Sequence, residues 1–158
     1  MCIRDSIWVS GPLGASSAGL RELTAGRPEP APRAHARPQP RTAAGVAARE
    51  IGATAMIDVS DGFSADLAHV LEASGVGCEV DGIPVAPGAT IGDALSGGED
   101  FELVWCARPE VDVAGEFARR GLRSPLCVGR CVGDVATRLL DGAPMRVRGW
   151  RHRIGGHA

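Results

Sequence analysis

The sequence contains no lysine: its 17 basic side chains are all arginine. It also contains no tyrosine. These two absences exclude a P-loop lysine, a Schiff-base lysine and a catalytic tyrosine. Aromatic residues make up only 4% of the chain, so its core must be packed from Val, Leu, Ile and Ala within a hydrophobic share of 44%. No apolar run approaches the roughly 18 residues of a membrane span. No charged n-region precedes a long apolar stretch near Met1, so a signal peptide is not expected. The net charge of −2 gives no whole-chain case for nucleic acid or a membrane surface as partner. The five cysteines (Cys2, Cys78, Cys106, Cys127 and Cys131) sit mostly in apolar runs and read as reduced core thiols of a cytoplasmic protein. Cys127 and Cys131 lie four apart, but no second pair has zinc-ligand spacing.

The charges that are present are segregated. Residues 51–107 hold ten acids and no arginine, whereas the segments on either side are net basic. Ten carboxylates without a basic neighbour in sequence need screening by solvent or metal ions. At 158 residues one domain is the expectation. Residues 1–5 read as a reading-frame artefact and residues 6–158 as the domain. Within it, residues 27–41 hold five prolines and four arginines and read as a linker-like surface segment.

Hydrophobic spacing sets out the elements. Strands are expected over Ile7–Val9, Thr54–Asp58, Gly77–Asp81, Phe101–Ala107, Leu126–Val132, Thr137–Leu140 and Pro144–Arg148. Helices are expected over Ala15–Leu23, Thr42–Ile51 with Thr42 as N-cap, Gly62–Ser74, Thr90–Leu95 and Val111–Arg120. Phe63, Leu67, Val70 and Leu71 share one face of the Gly62–Ser74 helix, and Gly75 supplies its stop. Asp141-Gly142 is a hairpin signal. Mixed helices and strands with a terminal hairpin point to an α+β fold, a mixed or antiparallel sheet covered by helices.

Two acidic constellations carry the chemistry. In Asp58-Val59-Ser60-Asp61-Gly62 a strand gives way to a helix. Ser60 or Asp61 capping the helix is one reading; the other is that Asp58 and Asp61 hold Mg²⁺ beside phosphate oxygens. In Ser96-Gly97-Gly98-Glu99-Asp100-Phe101-Glu102-Leu103 the glycines permit close approach by a ligand, and the acids stand at the mouth of an apolar strand. An ordinary solvated loop is the alternative. His69 reads as solvated, and Trp105 and Cys106 as core. The arginines of 27–41 could clamp phosphate, but a solvated segment is the simpler reading.

Together the two motifs resemble thiamine-monophosphate kinases. The match runs through residues 53–107, with the I-D-x-S-D-G corner, the Asp66-Leu67 pair and the S-G-G-E-D-F-E-L strand in order. It extends to Ile7–Leu20, to His35–Arg41 (HARPQPR) and to Gly149-Trp150-Arg151-His152. The resemblance implies the carboxy-terminal domain of the aminoimidazole ribonucleotide synthetase-like superfamily. It implies an ATP- and Mg²⁺-dependent phosphotransferase that converts thiamine monophosphate to thiamine diphosphate as a homodimer. It also implies roles: Asp58 and Asp61 for Mg²⁺, Ser60 for ATP, Glu99 and Trp150 for the substrate, and Asp66 and Asp100 as supports. Two departures stand out. The family's amino-terminal ATP- and Mg²⁺-binding domain, which forms most of the dimer surface, has no counterpart in the sequence. The tail lacks the acid that usually follows the aromatic at Trp150. A non-catalytic module binding nucleotide or thiamine phosphate, and another ATP-dependent synthetase of the superfamily, remain alternative readings.

Overall fold

The computed structural model describes residues 2–27 and 33–149. Among these, seven strands form one sheet: β1 (Ser6–Val9), β2 (Ala55–Asp58), β3 (Gly77–Val80), β4 (Leu103–Ala107), β5 (Leu126–Val132), β6 (Arg138–Leu140) and β7 (Ala143–Pro144). Their order is β2-β4-β1-β5-β3-β6-β7. Every pairing is antiparallel except that of β3 with β6. The helices are α1 (Ala15–Thr24), α2 (Arg33–Ala36), α3 (Thr42–Glu50), α4 (Phe63–Ser74), α5 (Ile91–Ser96) and α6 (Val113–Arg119). The mixed, helix-covered sheet is the α+β architecture expected from the sequence.

The two-residue period of the strands divides the core. Ile7 and Val9 of β1 and Val104 and Cys106 of β4 join one cluster, with Phe63, Leu67 and Leu71 of α4 and Ala94 of α5. Trp8, Leu103, Trp105 and Ala107 turn to the other face, against Ala47 and Ala48 of α3 and Val113 and Phe117 of α6. The few aromatics are concentrated on that second face, where Trp105 stacks on Phe117 with ring centroids 5.6 Å apart and planes 6° from parallel. Truncating a buried tryptophan typically costs about 3–5 kcal/mol, so this pair anchors α6 to the sheet.

The helix ends follow local chemistry. Gly75, at φ 66°, stops α4 in the left-handed region that favours glycine. Thr90 and Asp93 form a reciprocal capping box on α5. Asp141 and Gly142, at φ 50° and 78°, make the two-residue turn between β6 and β7.

Three expectations are revised. Thr42 is not the N-cap of α3, because Arg41 holds that position while its side chain is anchored on Glu102. The Pro/Arg-rich segment contains a turn of helix, α2, where no regular element was expected; His35 bonds to Ser16 and Arg41 to Glu102, which fixes its described part against the domain. The last strand is shorter than the expected Pro144–Arg148, because Arg148 leaves the sheet to pair its backbone with the Ser64 hydroxyl. Near the start, Asp5 is buried and accepts hydrogen bonds from Cys2 N–H and the Thr54 hydroxyl. Among the described residues no helix is long and apolar enough to cross a membrane.

Candidate functional site

The strand-to-helix corner after β2 is organised from inside the helix. Gly62, at φ 115°, is the N-cap of α4 and provides no side-chain cap. The buried Asp66 reaches back instead, and one of its carboxylate oxygens accepts from the backbone N–H groups of Ser60, Asp61 and Gly62 at 2.9, 3.0 and 3.1 Å. Capping by Ser60 or Asp61 is therefore corrected, since Asp66 gathers those donors. Burial pushes the Asp66 carboxyl up from its ordinary value, helped by the charge of Asp61 and opposed by the three N–H bonds.

The second motif is bound to this corner through its backbone. Glu99 N–H donates to Ser60 O at 2.8 Å, and Phe101 N–H to Val59 O at 3.0 Å. The glycines make room for these contacts, and both also line the cleft described below. A Cβ on Gly98 would lie 2.4 Å from Ser60 O, and one on Gly97 would lie 2.4 Å from Asp93 O. Asp100 turns away and caps α1, accepting from Gly14 N–H at 2.5 Å and Ser16 N–H at 2.9 Å. Its carboxyl, too, is pushed up by burial. Asp66 and Asp100 thus shape the two loops and are supports in that structural sense.

The outcome is a cleft of about 970 Å³ whose wall includes Ser60, Asp61 and Glu99, with His35, Ser16, Arg148 and Gly149 around them. Residues nearly forty apart in sequence are brought to one concavity of ligand-binding size. Glu99 holds a left-handed backbone at φ 64° with its side chain largely exposed, and its Oε2 lies 3.5 Å from His35 Nδ1. His35 Nδ1 is also 2.9 Å from the Ser16 hydroxyl. Asp58, the last residue of β2, is exposed, and its carboxylate has no hydrogen bond or ion pair among the described residues. It stands near the corner but outside the lining of the cleft. Trp150 lies outside the described residues. Its predecessor Gly149 packs so closely that a Cβ there would lie 2.6 Å from Asp61 O.

The donor chemistry suits a hard cation. Asp58 and Asp61 offer carboxylate oxygens, and Mg²⁺ commonly takes one or two carboxylates together with phosphate oxygens and water. No group of three or more His, Cys, Asp or Glu residues able to hold a metal occurs among the described residues. Two carboxylates alone leave most of an octahedral Mg²⁺ sphere to other ligands.

One residue of the motif was not singled out from the sequence. Glu102 is buried and accepts from the Ser10 hydroxyl at 2.5 Å, Arg41 Nη2 at 2.9 Å and Arg123 Nη2 at 2.8 and 2.7 Å. Burial raises its carboxyl, but the bonds from Arg123, Ser10 and Arg41 outweigh that and hold it below the ordinary value. The available signal was an acid just inside an apolar strand, a position that requires a partner. His69 is exposed, and Trp105 and Cys106 are core, as expected.

No family model matches the chain. The thiamine-monophosphate kinase of Haemophilus influenzae is 35% identical over 166 residues, covering 92% of this chain and 50% of that protein. The crystal structure of thiamine-monophosphate kinase from Stenotrophomonas maltophilia superposes with a TM-score of 0.78 at 30% identity, over 91% of this chain and 52% of that one. A structure described as AaThiL complexed with AMPPCP and TMP superposes with a TM-score of 0.74 at 29% identity, over 97% of this chain and 52% of that one. The chain spans about half the length of the relatives it matches. By sequence and by fold, it belongs to the thiamine-monophosphate kinase family.

Proposed function

We propose that the chain is the carboxy-terminal half of an ATP- and Mg²⁺-dependent kinase that phosphorylates thiamine monophosphate to thiamine diphosphate. The observation carrying this reading is the convergence of Ser60, Asp61 and Glu99, from two separate motifs, on one cleft. Phosphoryl transfer needs positioning and neutralisation of phosphate charge more than covalent participation by the protein. Mg²⁺, when bound, supplies that neutralisation, and Asp58 and Asp61 are the residues that would hold it. Ser60 is assigned to ATP and Glu99 to thiamine monophosphate. Trp150 is assigned to the substrate ring. The other half of the protein contributes the remaining metal ligands and most of a homodimer surface. A cytoplasmic location accords with the five free cysteines.

The test is an NMR titration of the 158-residue chain with thiamine monophosphate and with Mg²⁺ plus a non-hydrolysable ATP analogue. Resonances of Ser60, Asp61 and Glu99 are expected to move together, while the chain alone forms little or no thiamine diphosphate. Silence of all three with every ligand overturns the ligand assignments. Robust turnover by the chain alone overturns the division of the site between two halves.

A further inference from the structure

A second cavity, of about 470 Å³, lies beside the cleft and gathers Arg33, Arg37 and Arg41 on one wall. One turn of α2 brings the first two together, since Arg37 N–H donates to Arg33 O at 2.8 Å and residues four apart share a helix face. Both side chains are exposed, and neither forms an ion pair or hydrogen bond among the described residues. Arg41 is partly committed, with Nη2 on Glu102, while its Nε is buried and has no hydrogen-bond partner. The two acids on the same lining are already engaged. Asp100 accepts two backbone N–H groups, and Glu102 is shared between Arg41 and Arg123. What faces the cavity is an excess of guanidinium donors.

Three guanidinium groups face two carboxylates on this lining, and Arg33 and Arg37 have no ion-pair partner of their own among the described residues, so a bound oxyanion would balance the remaining positive charge. Guanidinium groups present planar forks that match phosphate oxygens two at a time. We propose that this cavity is a binding site for a phosphate group, with Arg33 and Arg37 as its principal ligands and Arg41 as a third donor fixed by Glu102. The ligand chemistry is that of a small phosphate or polyphosphate, either free or carried on a nucleotide. The site is separate from the Ser60–Asp61–Glu99 wall, so the proposal stands or falls independently of the kinase reading.

The experiment is a ¹H–¹⁵N titration of the 158-residue chain, following the arginine Nε–H signals with inorganic phosphate, pyrophosphate and ATP at low salt. The signals of Arg33, Arg37 and Arg41 are expected to shift. The Arg33→Ala/Arg37→Ala double variant is expected to weaken binding by at least ~10-fold, because charge-assisted hydrogen bonds are lost. The corresponding double lysine variant, which keeps charge but not the fork, should fall between the two. Both altered residues are exposed and unpaired, so the melting temperature should not move. If ATP displaces pyrophosphate from the same signals, the source is a nucleotide polyphosphate; if pyrophosphate binds there and ATP does not displace it, the source is free phosphate. Unmoved arginine signals with all three probes, or unchanged affinity in the double alanine variant, overturns the site.

Discussion

Glu99 and Glu102 stand three residues apart and occupy opposite surroundings. The side chain of Glu99 is 62% exposed at the edge of the cleft, with His35 as its near neighbour. The side chain of Glu102 is 5% exposed and is held by two arginines and a serine hydroxyl. The same contrast separates Asp58 and Asp66 around the other loop, one exposed and unpaired, the other buried under three backbone donors. A buried carboxylate must spend its lone pairs on protein donors, so it fixes geometry. An exposed one keeps its oxygens for a cation or a substrate. Each loop thus pairs an exposed acid, Asp58 or Glu99, with acids whose oxygens are spent on protein donors, Asp66 beside the first and Asp100 and Glu102 beside the second.

The sharpest way to break this contrast is Glu102→Ala. It leaves Arg41 and Arg123 without their shared anion and the Ser10 hydroxyl without its acceptor. The expected loss is about 3 kcal/mol, at the low end for a broken buried pair because both arginines are partly exposed; urea unfolding measures it. Asp66→Ala comes next, with an expected loss of about 2 kcal/mol, because three N–H groups lose one cap. Amide exchange at Ser60, Asp61 and Gly62 should accelerate in that variant.

Acidity separates the two kinds of buried acid by sign. Glu102 titrates below its ordinary value of 4.5, so its contribution is complete above about pH 4.5 and is lost as pH falls through the folded value. Asp66 titrates above its ordinary value of 3.8, so the pH-dependent share of its contribution is complete below that pH and falls away as pH rises through the folded value, while its three backbone bonds are the share removed in Asp66→Ala. Stability measured against pH should therefore show a smaller acid-side fall in Glu102→Gln, with Asp93 and Asp134 supplying the remainder, and keep the full fall in Asp66→Asn. The smallest effect on stability is expected from Asp58→Asn, within about 0.5 kcal/mol, as for other exposed positions. The same substitution should abolish any Mg²⁺-induced shift at the corner, and an unchanged shift would remove Asp58 from the metal site.

The elements of the fold were legible because their signals are local. The stripe Phe63, Leu67 and Leu71, the stop at Gly75 and the Asp141-Gly142 turn are each read within a dozen residues. The acidic corner and the Gly-Gly-Glu-Asp loop, which meet at one cleft, stood out as motifs for the same reason. What was not legible depends on partners far along the chain. Glu102 meets Arg41 across 61 residues and Arg123 across 21, and no local pattern announces either pairing. The acidic middle segment, without an arginine of its own, is served by the basic flanks: Arg21 pairs with Asp93, and Arg130 with Glu79. The packing of the protein's own chain against Gly97 and Gly98 was not legible either, because that contact exists only after folding.

The placement of β1 has a kinetic consequence. Of the seven strands described this one is made before the other six, yet it lies between β4 and β5, pairing Ile7 with Cys106 and Val9 with Leu126. At a synthesis rate of about 5–20 residues per second, it waits on the order of 5–25 seconds for its neighbours to emerge. Among the described residues only the β6–β7 hairpin joins strands consecutive in both sequence and sheet. Such non-local pairing slows folding and leaves the apolar Ile-Trp-Val segment of β1 open to chaperones or to aggregation until the second half of the chain is complete.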